Sequence, residues 1–588
     1  MMATRAAQPA TRIHAAPDRL AAATVDPLAD PADIDLIRMV GAGLCLRHGL
    51  LPWRRSGGTV LVLAEDGAAL AGQAAALAPL GRVRHIPCPA ALVRAGLRRA
   101  AAPLLVAEAE TRTPPAFSCR SLPLQALRGP VMVVAVLALA VLLAPAATGA
   151  MAVTVAAIVV AANALLRLAA LVASRVRPAP APDGDAPLAP ARLPVISLLV
   201  PLFHEREVAA HLLARLERLD YPRDRLDLCL ILEDGDDLTR AALDAATLPD
   251  HAQVIEVPAG TIRTKPRALN FALNFARGSI IGIYDAEDRP DPGQLLQVAR
   301  HFARAEPRVA CLQGVLDYDN HRSNWIARCF TLEYAAWFRV ILPGLQRMGL
   351  AIPLGGTTLF LRRHAIEDVG GWDAHNVTED ADLGIRLFRC GYRTEMLASA
   401  TGEEANARVW PWIRQRTRWL KGYALTWAVH MRDPVRLWRD LGPWRFLGLQ
   451  IVLLGTVTQF LLAPVVLSFW LLPLFGQAPF AGIWAWLLLS IFLLAEGVNA
   501  VAAGLGAIRA GKARLIAAIP LLHLYFPMAS VAAWRALSQV FDAPFHWEKT
   551  AHGIFEIPAQ PDGGTGGGAV GDTPSASSFS RVMKAREI

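Results

Sequence analysis

The chain reads as an α/β domain with a mostly parallel sheet, embedded between transmembrane helices and preceded by a small α+β unit. Three observations predict this. Hydrophobic residues fill 54% of the 588 positions and charged residues only 19%, with mean hydropathy +0.34, too little charge for a purely soluble chain. Apolar runs of strand length, Leu228–Leu232 and Ile280–Tyr284, each lead straight into an acidic cluster. Long uncharged stretches lie on both sides of these runs.

Residues 1–30 are Ala-rich but broken by Arg5, Pro9, Arg12 and Pro17, which predicts a mobile leader rather than a secretory signal. From Pro31 to about residue 110 a small α+β unit is expected. Ala32-Asp33 precedes a helical pattern (Ile34, Leu36, Ile37, Val40, Leu44), and Gly57-Gly58 leads into the strand-like run Thr59–Ala64. This segment resembles the small amino-terminal domain of type II secretion ATPases. In some relatives that fold binds a cyclic dinucleotide, but the binding repeat does not match here, so a docking or regulatory module is expected.

Residues 129–166 carry no charged side chain, enough for a hairpin of two spans across 129–175, with Pro145 and Gly149 near its turn. Arg128 on one flank and Arg167, Arg175 and Arg177 on the other predict that both ends are cytosolic. The Pro/Ala-rich stretch 178–194 reads as a linker. The α/β pattern then runs over 195–432, opening with the strand Ile196–Val200 and a helix at 207–219. Within 440–540 lie three hydrophobic stretches, near 446–475, 480–507 and 515–534, with Arg509, Lys512 and Arg514 marking a cytosolic loop. Pro520, His523 and Pro527 leave the third open to an interfacial or re-entrant path. Glu496, deep in an apolar run, is costly unless it faces protein or a polar pore. The tail from 558 to 588 is rich in Gly, Ser and Thr and is expected to be disordered.

The net charge of +9 comes without a basic stripe interleaved with aromatics, so nucleic acid is not expected as a partner. Seven cysteines at 45, 88, 119, 229, 311, 329 and 390, with no Cys-x-x-Cys pair, predict neither a disulfide framework nor a zinc site.

In an open α/β sheet the ligand site lies at the carboxyl ends of the strands, where Glu233-Asp234 and Asp285-Ala-Glu-Asp288 fall. Asp285 and Asp288 suit a hard cation such as Mg2+ or Mn2+, which binds through one or two carboxylates and substrate phosphates. Asp380 is the candidate general base, with Glu379 beside it to raise a pKa and Thr378 placed to cap the helix that follows. In Gln415-Arg416-Thr-Arg418-Trp419 an Arg can grip a diphosphate and Trp419 offers a face for a sugar ring. Trp410, Trp412 and Trp419 also suit a helix lying at headgroup level.

Over 195–432 these residues carry a resemblance to family 2 glycosyltransferases of the cellulose-synthase superfamily. The matches are Asp285-Ala-Glu-Asp288, Thr378-Glu-Asp380, Gln415-x-x-Arg418-Trp419, Thr264-Lys-Pro-Arg-Ala-Leu-Asn270 and Leu354-Gly-Gly-Thr-Thr358. The resemblance implies a GT-A fold, an inverting mechanism, a divalent metal and a nucleotide-sugar donor, usually a UDP-sugar. It assigns Asp234 to the nucleoside, Lys265 and Asp285 to the donor, Asp288 with Asp285 to the metal and Asp380 to the base. Gln415 and Arg418 would hold the diphosphate, Trp419 the acceptor end, and Gly356 and Thr357 the acceptor-site floor. Trp547–Gly553, within 541–557, stands where a gating loop would be.

The expected function is a multi-pass synthase in the cytoplasmic (inner) membrane, its catalytic domain cytosolic, that polymerises a β-linked glucan-like chain. The alternatives are single transfer to a lipid or other carrier, and a nucleotide-sensing scaffold. An export or regulatory partner stays open.

Overall fold

The computed structural model describes residues 13–14, 25–122, 139, 142–176, 192–205, 208–471 and 482–546. Most of the expected leader, the first limb of the hairpin, nearly all of the linker, the Trp547–Gly553 segment and the tail lie outside the described residues.

The amino-terminal unit is a four-stranded sheet with helices on both faces. Its strands are β1 (Ile13–His14), β2 (Leu51–Ser56), β3 (Thr59–Ala64) and β4 (Arg82–Pro87), in the order β1-β4-β3-β2. The expected strand at Thr59–Ala64 pairs with β2 as a hairpin, turned by Gly57 and Gly58 at φ +53° and +77°, which glycine adopts without strain. Helix α1 (Ile34–Val40) is capped by Asp33, whose carboxylate accepts from the Asp35 N–H at 2.9 Å. α2 (Ala42–His48) follows, and one face of the sheet closes over Leu36, Val60, Val62, Leu70 and Val83. The other face packs on α3 (Ala90–Thr111) through Leu61, Leu63, Val93 and Leu97, in a core continuous with that of the large domain. α3 is therefore an arm that joins the two sheets.

The large domain is built on eight strands, β5 (Ile196–Leu202), β6 (Leu226–Glu233), β7 (Ala252–Val257), β8 (Ile280–Ile283), β9 (Arg289–Pro290), β10 (Val309–Tyr318), β11 (Leu359–Arg362) and β12 (Arg393–Glu403). Their order is β7-β6-β5-β8-β11-β10-β12-β9. From β7 to β8 every pairing is parallel, as the buried apolar runs predict. Beyond β8 the sheet is mixed: β11 runs antiparallel between β8 and β10, and β9 antiparallel along β12. That reversal places the Leu354–Thr358 turn, just before β11, against the carboxyl end of β8.

Four helices are long and apolar enough to cross a membrane: Pro145–Arg175, Pro434–Leu461, Ile483–Arg509 and Ala513–Asp542. Helix α4 (Pro145–Val176) starts at Pro145 but runs through Gly149, so Gly149 is not part of a turn. Arg167, expected on the flank, sits inside this helix and donates to Asn499 Oδ1 at 2.7 Å. The third late stretch is the helical run Ala513–Asp542. Lys512 at its start bonds Asp317 at 2.6 Å, and beyond its end the carbonyls of Ala543 and His546 accept from Lys421 at 3.1 and 2.8 Å. Residues flanking both ends are thus bonded to the α/β domain. Near its last described residue, 546, the chain lies beside the segment before Glu379, where Phe545 stands edge-on to His375.

Candidate active site

Two short helices and the turn before β11 bring the motif residues together. Helix α5 (Lys265–Ala272) begins at Lys265, whose ammonium pairs with Asp285 at the end of β8 and donates to the Gly356 carbonyl at 3.1 Å. Helix α7 (Glu379–Arg389) carries Glu379 and Asp380 in its first turn. Thr378 occupies the N-cap position, yet its hydroxyl makes no capping bond and lies 3.4 Å from Asn376 Oδ1. Gly356 has φ +84°, and a Cβ there would stand 3.0 Å from Asp380 Oδ2, so only glycine lets the turn approach the carboxylate.

The two carboxyls of α7 differ in exposure. Glu379 is buried, and burial with the neighbouring Asp380 pushes its pKa up to about 7, against the pull of Lys265. Asp380 faces the cavity; burial raises its pKa, while Lys265 and Arg418 oppose the rise.

Around β8 the acidic residues divide into two groups. Asp285 and Glu287 line the cavity. Asp288, expected as a metal ligand, is 1% exposed and is absent from the cavity lining. It accepts from the Asp285 N–H at 2.8 Å and from the Thr357 hydroxyl, an arrangement that shapes the turn. Burial, then Asp285 and Glu287, hold its pKa well above the carboxylate range, and its Oδ1 has no partner among the described residues.

Glu403, which the sequence reading missed, ends β12 beside this turn because β12 pairs with Arg289-Pro290. It lines the cavity with Oε1 buried and unpartnered among the described residues. Burial and the charges of Asp288, Glu287 and Asp285 push its pKa well up. Asp285, Glu287 and Glu403, gathered on the cavity wall beside the one ammonium of Lys265, suit a divalent cation. No three His, Cys, Asp or Glu side chains converge on one metal position among the described residues, so a cation here needs donor phosphate oxygens as well.

Helix α8 (Val409–His430) carries Gln415, Arg418 and Trp419 into the cavity wall. Gln415 Oε1 accepts from Asn406 at 3.0 Å. Arg416 also lines the cavity, pairing with Glu333 of helix α6 (Trp325–Ala336) and lying 4.7 Å from the Trp419 ring centroid. Trp410 is half exposed, but Trp412 is fully buried and donates to the Tyr525 hydroxyl at 2.9 Å, so it is a packing residue rather than a headgroup anchor. Asp234 is exposed after β6 and does not line the cavity; the preceding Glu233 does.

The cavity, about 530 Å3, extends beyond these residues into the helical region. Arg167 and Asn499, with Tyr334, Trp337, Phe338, Phe460 and Phe526, line that half. Its polar members lie in runs that read as membrane spans, so sequence alone hid them. Glu496 lies outside this lining; it faces neither core nor cavity and instead stands 3.2 Å from His523 on the neighbouring helix.

Residues 280–498 match the family model for glycosyl transferase family group 2, and residues 19–100 match the MshEN domain. The chain is 30% identical over 303 residues to a beta-monoglucosyldiacylglycerol synthase of Synechocystis sp., covering 49% of this chain and 61% of that protein. It is 27% identical over 278 residues to the UDP-forming cellulose synthase catalytic subunit of Komagataeibacter sucrofermentans, covering 46% and 35%. A mannosyltransferase of Pyrobaculum calidifontis, solved with GDP-Man and Mn2+, aligns with TM-score 0.44 and 20% identity over 67% of this chain and 99% of that one. The matched regions span 55%, 61% and 49% of the first three curated relatives. This chain carries a glycosyltransferase domain of family group 2.

Proposed function

We propose that this protein is a membrane-bound inverting glycosyltransferase that polymerises a β-linked, glucan-like polysaccharide from a nucleotide-sugar donor. The observation that carries this reading is the single cavity joining the carboxyls of α7 and β8 to aromatic and polar residues among the apolar helices. Tyr334, Trp337, Phe338 and Trp419 offer flat apolar faces, while Arg167, Glu333 and Asn499 offer hydroxyl-binding groups, the two kinds of contact a sugar chain needs.

In this reading Asp380 accepts the proton of the acceptor hydroxyl as its oxygen attacks the anomeric carbon. The bond to the diphosphate breaks, its electron pair leaves with the nucleoside diphosphate, and the configuration inverts. Lys265 and Arg418 face the diphosphate, Trp419 stacks on the acceptor end, and the Gly356-Thr357 turn forms the floor. Asp285 and Glu287 would hold Mg2+ or Mn2+, which neutralises the leaving diphosphate. Asp234 is left at the rim toward the nucleoside. Arg509 and Lys512, bonded to the Arg339 carbonyl and to Asp317, put basic residues on the α/β side, which supports a cytosolic domain at the cytoplasmic membrane.

A second reading, single transfer to a lipid, draws on the apolar part of the same half-cavity (Ala336, Ile341, Ala502, Leu522) and on the glucosyldiacylglycerol synthase similarity. Membranes given radiolabelled UDP- and GDP-sugars with Mg2+ or Mn2+ separate the readings. Long polymer from one donor, absent in Asp380→Asn, supports the synthase; label extracted wholly into organic solvent supports lipid transfer. No incorporation from any donor counts against both.

A further inference from the structure

The arm helix α3 does more than join two sheets. Glu110, in its last turn and 8% exposed, reaches into the irregular segment 258–264 that leads to Lys265. Its Oε1 accepts from the Thr261 N–H at 2.7 Å and the Ile262 N–H at 3.4 Å, and its Oε2 accepts from the Thr261 hydroxyl at 2.6 Å. The segment wraps it so closely that a Cβ at Gly260 would collide with Oε1. Oε1 also lies 3.4 Å from Nε of Arg267, which is 1% exposed. Arg267 turns its Nη1 to Glu233, 3.1 Å away, and its Nη2 to the Pro258 carbonyl.

Glu233, Arg263, Thr264 and Lys265 line the cavity. A carboxylate from outside the sheet domain therefore satisfies the backbone of the donor-side wall, which has no strand partner of its own. The arm is pinned next to it, because Asn270 of α5 donates to the Ala109 carbonyl at 2.9 Å and to the Trp372 carbonyl at 2.7 Å.

We propose that Glu110 is a positioning residue for the donor site, ordering residues 258–264 and through them Arg263 and Lys265, so that docking of the amino-terminal unit and occupancy of the donor pocket are coupled. This rests on the glycosyltransferase reading of that pocket. Coupling of this kind is reciprocal: what tightens the arm tightens donor binding, and donor binding tightens the arm.

The test compares full-length wild type, Glu110→Gln, Glu110→Asp and Asp380→Asn. For Glu110→Gln the donor KM is expected to rise about tenfold or more with kcat within about twofold, since a misplaced binding wall weakens binding without touching the base. Glu110→Asp, one methylene shorter, should recover part of that loss. A merely structural role would instead reduce the active fraction, lowering apparent kcat and leaving KM alone.

Hydrogen exchange supplies a readout independent of turnover. Amides of 258–264 should exchange faster in Glu110→Gln, and UDP or GDP with Mn2+ should slow exchange across 105–113 in wild type only. Unchanged KM and unchanged exchange at 258–264 would overturn the inference while leaving the transferase reading intact. Loss of all turnover in wild type would overturn that reading, with exchange still deciding whether Glu110 orders the wall.

Discussion

Glu379 is a buried carboxyl whose ionisation weighs against the fold, and replacing it with glutamine exposes that cost. Its carboxyl, buried beside Asp380, is pushed from an ordinary 4.5 to about 7. A raised folded-state pKa means the folded protein holds the proton more tightly than the unfolded chain does, so ionisation weighs against folding. Below pH 4.5 both states are protonated and the cost is absent; between 4.5 and 7 it grows by about 1.4 kcal/mol per pH unit; above 7 it is constant at about 3 kcal/mol. Glu379→Gln keeps the shape and removes the ionisation. Its stabilisation should therefore appear at pH 8 and vanish near pH 4.5, with an apparent melting temperature roughly 5 °C above wild type at the higher pH. The assay is a thermal shift series at fixed scan rate across pH 4.5–8, without added divalent cation or donor. An equal shift at every pH, or destabilisation at pH 8, would refute the reasoning, because neither follows from removing a buried charge.

Asp380→Asn should lower kcat by about 100-fold or more while the protein still binds nucleoside diphosphate, measured by turnover and by equilibrium binding. Glu287→Gln should raise the Mn2+ concentration for half-maximal rate several-fold, whereas Asp288→Asn should leave that requirement near wild type and lower thermal stability; the reverse pattern would restore Asp288 as the ligand. Gly356→Ala should cost about 1–2 kcal/mol of stability through its positive φ and also reduce kcat, because the new methyl meets Asp380.

Much of the donor side was legible because it is built from local sequence. Apolar runs ending in carboxylates marked β6 and β8, Asp33 marked the start of α1, and Gly57-Gly58 marked the start of β3. What escaped was set by tertiary neighbours. Nothing local distinguishes Asp288 from Glu287; only the Thr357 hydroxyl and the Asp285 N–H, arriving from the turn before β11 and from β8, turn Asp288 inward. Glu403 is remote from the motif it joins and is brought there by the short pairing with Arg289-Pro290. Arg167 read as a membrane flank because its partner Asn499 is far along the chain. The mixed half of the sheet escaped for a similar reason, since β11 is short and its direction is dictated by the strands on either side.

The acidic surplus around β8 links stability, metal and donor in one argument. Asp285 has Lys265 as its ion-pair partner, while Glu403 and Asp288 each leave a buried oxygen unpartnered among the described residues. Buried carboxyls without a counter-charge take up protons, which is the direction in which Asp288 and Glu403 are shifted. A divalent cation arriving with a diphosphate would reverse the protonation of Glu403, which lines the cavity, so metal and donor binding should release protons and tighten as pH rises. Binding measured in two buffers of different ionisation enthalpy reads this directly: a heat that differs between buffers reports released protons, and an identical heat would mean that these carboxyls are already ionised and that the surplus is balanced elsewhere. The same cycle in Glu403→Gln separates the two acids, because the proton release should fall there while Asp285 and Glu287 still face the donor.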